Sequence, residues 1–306
     1  MKKCKFMMAI LGAMILFSPI LAEDLDESSG ESSAPVANSG VPKPGNGVAT
    51  FLGGTAVQKG DGAIVLNYNF TQAYNGGNKI YRNNFVPVLR MGLGDKWDIN
   101  IVVPQMYQVQ KGGKQGAMYG STGVVELIIH KQHLAEQVGE STIMLASNWI
   151  ITAPTTAGMN GAWGFGFDLG LTWLYDSMRF VFDFRANTNS QTANNGAFKN
   201  PSISVKAGYH YAFIDYLYAG LELNYDTIFY RTASRTYNAD GSHILYVGPM
   251  LGVKIPELKG ASWGVGFFWD CLNRYQHSTP NQHSTPSTNP TKVDSWRITS
   301  RVTAVF

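Results

Sequence analysis

Trp296-Arg297-Ile298-Thr299-Ser300-Arg301-Val302-Thr303-Ala304-Val305-Phe306 closes the chain, its even-numbered positions mostly apolar and its odd-numbered ones mostly polar. Side chains of a strand point alternately to two faces, so this segment presents an apolar face ending on an aromatic and a polar face carrying Arg297 and Arg301. The same period of two recurs upstream. Ile64, Leu66, Tyr68 and Phe70 alternate with Val65, Asn67, Asn69 and Thr71. Phe180, Phe182 and Phe184 alternate with Val181, Asp183 and Arg185. Trp163, Phe165, Phe167, Leu169 and Leu171 alternate with Gly164, Gly166, Asp168 and Gly170. A soluble sandwich gives one or two such strands. Large aromatics on the apolar face throughout a chain favour contact with lipid.

Twelve candidate strands follow, near 61–73, 79–92, 96–109, 119–132, 140–153, 161–175, 178–190, 201–213, 215–231, 241–255, 261–275 and 292–306. The links after even-numbered strands are short, as at Gly92 to Asp95, Leu134 to Gly139, Asp176-Ser177, Ile214-Asp215 and Pro256 to Gly260. Those after odd-numbered strands are mostly longer and rich in Gly, Asn, Thr and Ser. An open edge in hydrocarbon strands unpaired N–H and C=O groups, so the sheet is expected to close on itself. The expected fold is an all-β, transmembrane, antiparallel up-and-down β-barrel. Short periplasmic turns and longer outer loops place both termini in the periplasm. Trp97, Trp163, Trp173, Tyr175, Trp263 and Trp269 fall where interfacial aromatic girdles are expected.

The start of the chain reads as a secretory signal peptide over 1–22, with Lys2, Lys3 and Lys5 before an apolar run and a small-residue exit at Ala22. Its three lysines account for the whole formal excess of +3, so the remainder is balanced and offers no argument for nucleic acid as a partner. Residues 23–60 are acidic and rich in Ser, Pro and Gly, and read as a disordered segment, preferred as a periplasmic tether over a plug in the lumen. The barrel occupies 61–306. A mean hydropathy of −0.10 suits it, because polar lumen residues dilute each strand.

Alternation assigns Arg90, Asp98, Glu126, His130, Asp168, Asp183, Arg185, Lys206, His210, Glu222, Asp226, Lys254, Asp270, Arg297 and Arg301 to the inner face. A lysine or arginine facing lipid at the midplane would cost about 2–4 kcal/mol, which forces these side chains inward. Two roles stand open for them. Opposite charges could cross-link strands and close a narrow barrel, or ring charges could line a permeation path. The structural role is preferred for any single charge. Inward Gly164, Gly166, Gly170, Gly248 and Gly252 either leave room for lumen contents or ease strand curvature.

Enzyme chemistry finds little footing, and no catalytic residue is assigned. No His follows a lipid-facing Ser in a hydrolase pattern, and Asp240 with His243 is a weak pair for a protease. His130-x-x-His133 lacks a third ligand nearby and reads as flanking a turn, so no metal is expected. No phosphate-binding glycine loop and no cysteine cluster occur, so no cofactor is expected. Gln276-His277-Ser278-Thr279-Pro280 recurs as Gln282-His283-Ser284-Thr285-Pro286 in the last long loop, read as a neutral expansion or an adhesive loop. Lys79, Lys111, Lys114, Lys199, Arg231 and Arg235 give the outer loops bases for lipopolysaccharide phosphates or for drawing anionic solutes in.

The closing strand resembles the last strand of bacterial outer-membrane barrels, a likeness that makes Phe306, with Trp296, a signal for the barrel-assembly machinery. From Asn84 to about Asn187 the chain is similar to the transporter family named after the meta-pathway of phenol degradation. The likeness lies in Phe85-Val86-Pro87-Val88-Leu89-Arg90-Met91-Gly92-Leu93-Gly94-Asp95-Lys96-Trp97-Asp98-Ile99, in Ile101-Val102-Val103-Pro104, in Gly120-Ser121-Thr122-Gly123 and in Ile151-Thr152-Ala153-Pro154-Thr155. It implies a barrel in the bacterial outer membrane, associated with uptake of aromatic compounds, with no catalytic residues to carry over. The resulting expectation is a porin-like channel passing small solutes, hydrophobic or aromatic compounds among them, by passive diffusion through a charge-lined lumen. Its partners would be outer-membrane lipid and lipopolysaccharide, the assembly machinery and the solute. The alternatives are a surface-exposed adhesive barrel and, behind it, an outer-membrane hydrolase.

Overall fold

The computed structural model describes residues 44, 47–48, 53–75, 78–103, 105–111, 124–154, 163–190, 198–228, 230–231, 237–238, 243–255, 261–272 and 295–306. Twelve strands run through them. They are β1 (Gly62–Asn75), β2 (Asn78–Gly94), β3 (Trp97–Val102 and Gln105–Lys111), β4 (Val124–Val138), β5 (Ser141–Pro154) and β6 (Gly164–Tyr175). Then follow β7 (Met178–Ser190), β8 (Phe198–Ile214), β9 (Leu217–Ile228), β10 (His243–Ile255), β11 (Ala261–Asp270) and β12 (Trp296–Val305). Each pairs antiparallel with its neighbour in sequence, and Tyr230–Arg231 and Tyr237–Asn238 form a separate two-stranded ribbon between β9 and β10 in sequence.

The sheet closes because the terminal strand finds the first. β12 pairs with β1 from Ala63↔Val305 to Gln72↔Trp296, and Gly62 and Phe306 exchange backbone hydrogen bonds of 2.8 and 2.9 Å. No edge is left for hydrocarbon to strand. The expected barrel of twelve strands is the one observed. The ends of the barrel also differ as expected, with two-residue links at 95–96, 139–140, 176–177 and 215–216. One long-loop link is shorter than expected: β1 runs on to Asn75 and β2 begins at Asn78.

The outer surface is apolar. Ile64, Leu66, Tyr68, Phe165, Leu251 and Trp263 are all exposed, a belt that water would penalise and hydrocarbon accepts. Aromatics stack along it: Trp97 on Trp149 at 6.1 Å between ring centroids, Trp173 on Tyr175 at 6.3 Å and Phe267 on Trp296 at 5.7 Å. Phe306 is 65% exposed, and its ring lies where a side chain at residue 62 would stand, which glycine leaves open.

Only β7 keeps both expected bounds; the other strands shift by one residue or more at one or both ends, and three of the departures have a local cause. β3 is interrupted between Val102 and Gln105, a stretch whose sequence includes a proline, which has no N–H to give a ladder. β4 runs six residues past 132 to Val138, because a β-bulge between Gln132 and Leu134 takes up His133 and lets pairing with β5 resume. A second irregularity lets Leu217 pair with Ile214 and Tyr218 with Ala212. The duplicated loop, the signal peptide, Gly120 to Gly123, Lys114 and Arg235 lie outside the described residues.

Closure in this register predicts a specific cross-link. Ile64→Cys with Ala304→Cys, a directly opposed pair on the outer face, should form a disulfide under mild oxidation of the folded barrel. The pair Ile64→Cys with Thr303→Cys, one residue out and on opposite faces, should not. Non-reducing gel mobility distinguishes the two.

Candidate functional site

The barrel interior holds a length of its own chain. Residues 47–48 and 53–57, expected in the periplasm, lie inside the wall, and this is the main correction to the sequence reading. Val48 packs in a buried cluster with Ala212, Tyr218, Tyr246, Met250 and Phe268. Its N–H donates to Glu222 Oε1 at 2.8 Å. The Gly53 N–H donates to Asp183 Oδ1 at 3.1 Å, the Gly54 N–H to Thr172 Oγ1 at 3.0 Å and the Val57 N–H to Asp98 Oδ2 at 2.9 Å. The strap's carbonyls take the bases and an amide: Arg301 donates to Gly47 at 3.1 Å, Arg90 to Thr55 at 3.1 Å and Gln132 to Gly54 at 2.8 Å.

The division has a physical cause. Buried backbone groups need partners, and the strap pairs with no strand among the described residues. The barrel's side chains stand in for the missing ladder, carboxylates for the N–H groups and cations for the C=O groups, and such charge-assisted bonds are the stronger kind. Composition pointed to disorder because residues 23–60 bury little apolar surface by themselves. The interior supplies the partners that composition does not record. Gly53 adopts φ +62°, and the inward Gly170 leaves space for the Gly53 carbonyl, so on this strand the room-for-contents reading holds.

The predicted inner residues fall into three groups. Arg90, Asp98, Asp183, Glu222 and Arg301 bind the strap directly, and all five are buried. Arg90 also pairs with Asp98 at 2.9 Å, and His210 Nε2 bonds Glu222 Oε1 at 2.9 Å. A second group faces a cavity of about 330 Å³, with Val48 in its wall: Glu126, Asp168, Arg185, Lys206, Asp226 and Arg297, joined by Arg301. Arg185 and Glu126 pair there at 2.8 Å across β4 and β7. The third group sits toward the strand ends. Lys254 is half-buried, its backbone N–H bonded to the Tyr216 carbonyl at 2.8 Å, and Asp270 accepts from the Leu272 N–H at 3.1 Å. His130 is buried in mid-strand, bonded to Asn148, whereas His133 occupies the bulge and bonds Ser147 Oγ at 2.7 Å, so neither flanks a turn. No group of three metal-ligating side chains occurs among the described residues.

Sequence reasoning passed over two kinds of interior residue. Arg179 is buried beside the strap, and it shares the phase of Val181, Asp183 and Arg185, so continuing that alternation finds it. The cavity's apolar side is the other. Val65, Val86, Val88, Val102 and Ile128, from β1 to β4, line the cavity together with Asn67, Asn69, Asn84 and Glu126 of the same strands. They share the phase of Asn67, Arg90, Asn100 and Glu126, but a valine on the inner face looks like any strand residue.

No family model and no curated protein matches the sequence. Solved structures do. An outer-membrane channel from Pseudomonas putida F1 aligns at a TM-score of 0.57 with 12% identity, over 82% of this chain and 97% of that one. The NanC porin aligns at 0.44 with 9% identity, over 78% and 98%. The outer membrane protein opdK from Pseudomonas aeruginosa aligns at 0.36 with 8% identity, over 80% and 98%. The first is a likeness of fold; the other two are too distant to argue from.

Two substitutions test the strap and its anchors. Asp98→Ala leaves the Arg90 guanidinium buried with the Val57 N–H unpaired, and should destabilise the folded barrel by about 3–5 kcal/mol in denaturant titrations in lipid vesicles. Replacing both partners, Arg90→Leu with Asp98→Leu, should recover the part of that loss due to the lone guanidinium and no more, because the Val57 N–H and the Thr55 carbonyl then lack partners. Gly170→Val should push the strap away from β6 while leaving the barrel folded, seen as new protease sensitivity between residues 44 and 60 with unchanged heat-modifiable gel mobility.

Proposed function

We propose that the chain is a channel of the bacterial outer membrane through which small solutes pass by diffusion, with both termini in the periplasm. The observation that carries this reading is the pairing of an apolar outer belt with a polar interior that still contains an open cavity above the strap. A sealed structural barrel would need no such space. The fold shared with an outer-membrane channel supports it. So does the likeness of Asn84 to Asn187 to the phenol meta-pathway transporter family, and the valine side of the cavity suits hydrophobic or aromatic solutes. The charges of the opposite side fit a permeation path, and those that bind the strap fit a narrowing of it, so the two roles left open by the sequence divide between residues. Outer-membrane lipid, lipopolysaccharide and the assembly machinery acting on Trp296 and Phe306 complete the proposed partners.

Single-channel recording in planar bilayers tests the proposal. The intact protein should give small, discrete conductance steps, and a chain lacking residues 44–57 should give larger ones, because the strap lies in the conduction path. Silence from both proteins in bilayers that they demonstrably enter would remove the channel reading.

A further inference from the structure

Within the proposed channel, the geometry points to the cavity above the strap as a binding site for small organic acids with a flat apolar body, their carboxylate held by Arg297. The reading rests on three observations about one space. The first is its two-sided chemistry. Val48, Val65, Val86, Val88, Val102 and Ile128 contribute apolar side chains, with Asn67, Asn69, Asn84 and Glu126 between them on β1, β2 and β4, while the cations Arg185, Lys206, Arg297 and Arg301 stand on β7, β8 and β12. Few ligands match both sides. A bare inorganic anion forfeits the apolar side, and a hydrocarbon leaves buried polar groups without partners.

The second observation is Arg297 itself. Its guanidinium carbon lies 4.5 Å from the ring centre of Tyr246 and 5.3 Å from that of Phe268, contacts that hold the cation in place. Its Nε has no hydrogen-bond partner among the described residues. The neighbouring cations are otherwise engaged: Arg185 with Glu126, and Arg301 with the Gly47 carbonyl. A planar fork held against two rings is suited to a carboxylate, which it can bind through two parallel N–H groups.

The third observation is a set of further polar atoms around the same cavity that lack hydrogen bonds among the described residues: Oδ1 of Asn84, of Asn224 and of Asp168. Buried polar atoms without partners are rare in folded proteins, and several around one cavity call for a guest or ordered water. A volume of about 330 Å³ lies at the small end of ligand pockets, enough for one aromatic ring with its substituents and too little for an oligosaccharide. The acids Glu126, Asp168 and Asp226 share the wall. They would repel a second negative charge, so the site should favour monoanions.

The test uses the full barrel in detergent with benzoate as probe, and benzyl alcohol and acetate as the two half-ligands. Calorimetry should show benzoate binding at least about tenfold more tightly than either, the equivalent of about 1.4 kcal/mol. Arg297→Gln should abolish the advantage over benzyl alcohol, and Val88→Asn the advantage over acetate, with folding checked by heat-modifiable mobility. If Arg297→Gln fails to fold, the three-probe comparison on the unaltered protein still decides. Equal binding of benzoate and benzyl alcohol, or no benzoate binding at all, overturns the site. Conductance separates this result from the channel reading. A conducting protein that ignores benzoate keeps the channel and loses the site, whereas a silent protein that binds benzoate through Arg297 keeps the site and loses the channel.

Discussion

A backbone amide in hydrocarbon has no water to bond, and each one left unpaired costs several kcal/mol. Everything else in this molecule follows from satisfying that demand. The last strand must meet the first, and it does so through ten paired positions and the mutual bonds of Gly62 and Phe306. Closure then divides every strand into an outer and an inner face. The outer face carries Ile64, Leu66, Phe165 and Trp263, and the inner one inherits the charges that lipid rejects.

The same demand reappears inside. A charged interior in a narrow barrel has to find partners for its carboxylates and guanidinium groups, or bear the penalty of burying them alone. Some pair with each other, as Arg90 does with Asp98 and Arg185 with Glu126. Others take a segment of backbone as their partner. The strap at 47–48 and 53–57 and the charges around it are therefore one arrangement: N–H groups on Glu222, Asp183 and Asp98, carbonyls on Arg301 and Arg90. It fills part of the lumen and leaves a two-sided cavity above, with valines, cations and acids in its wall.

Much of the barrel was legible in the sequence, because a period of two with large aromatics on one face, sustained from strand to strand, suits a wall facing lipid and little else. The segment from Met178 to Ser190 matches its expected bounds, the short link at 176–177 stands where turn chemistry put it, and the one expected at Ile214-Asp215 lies one residue on, at 215–216. The misses have local causes. The bulge at His133 resets the phase of β4, and a bulge of one residue leaves little trace in composition. Arg179 was readable by extending a phase already in hand. The strap was not readable, because Gly, Pro and Ser segments gain order only from partners far away in sequence; Val48 and Glu222 are 174 residues apart. The apolar side of the cavity was hidden for the opposite reason, since inward valines resemble outward ones until the barrel is closed.

The placement of the strap inside the folded barrel is the central claim, and thiol accessibility at one position tests it most directly. With Val48 replaced by cysteine (Val48→Cys), a bulky water-soluble maleimide should fail to label the folded barrel in vesicles and should label it fully after denaturation. Rapid labelling of the folded protein, at the rate of a free peptide thiol, would contradict the placement and return residues 44–57 to the solvent outside.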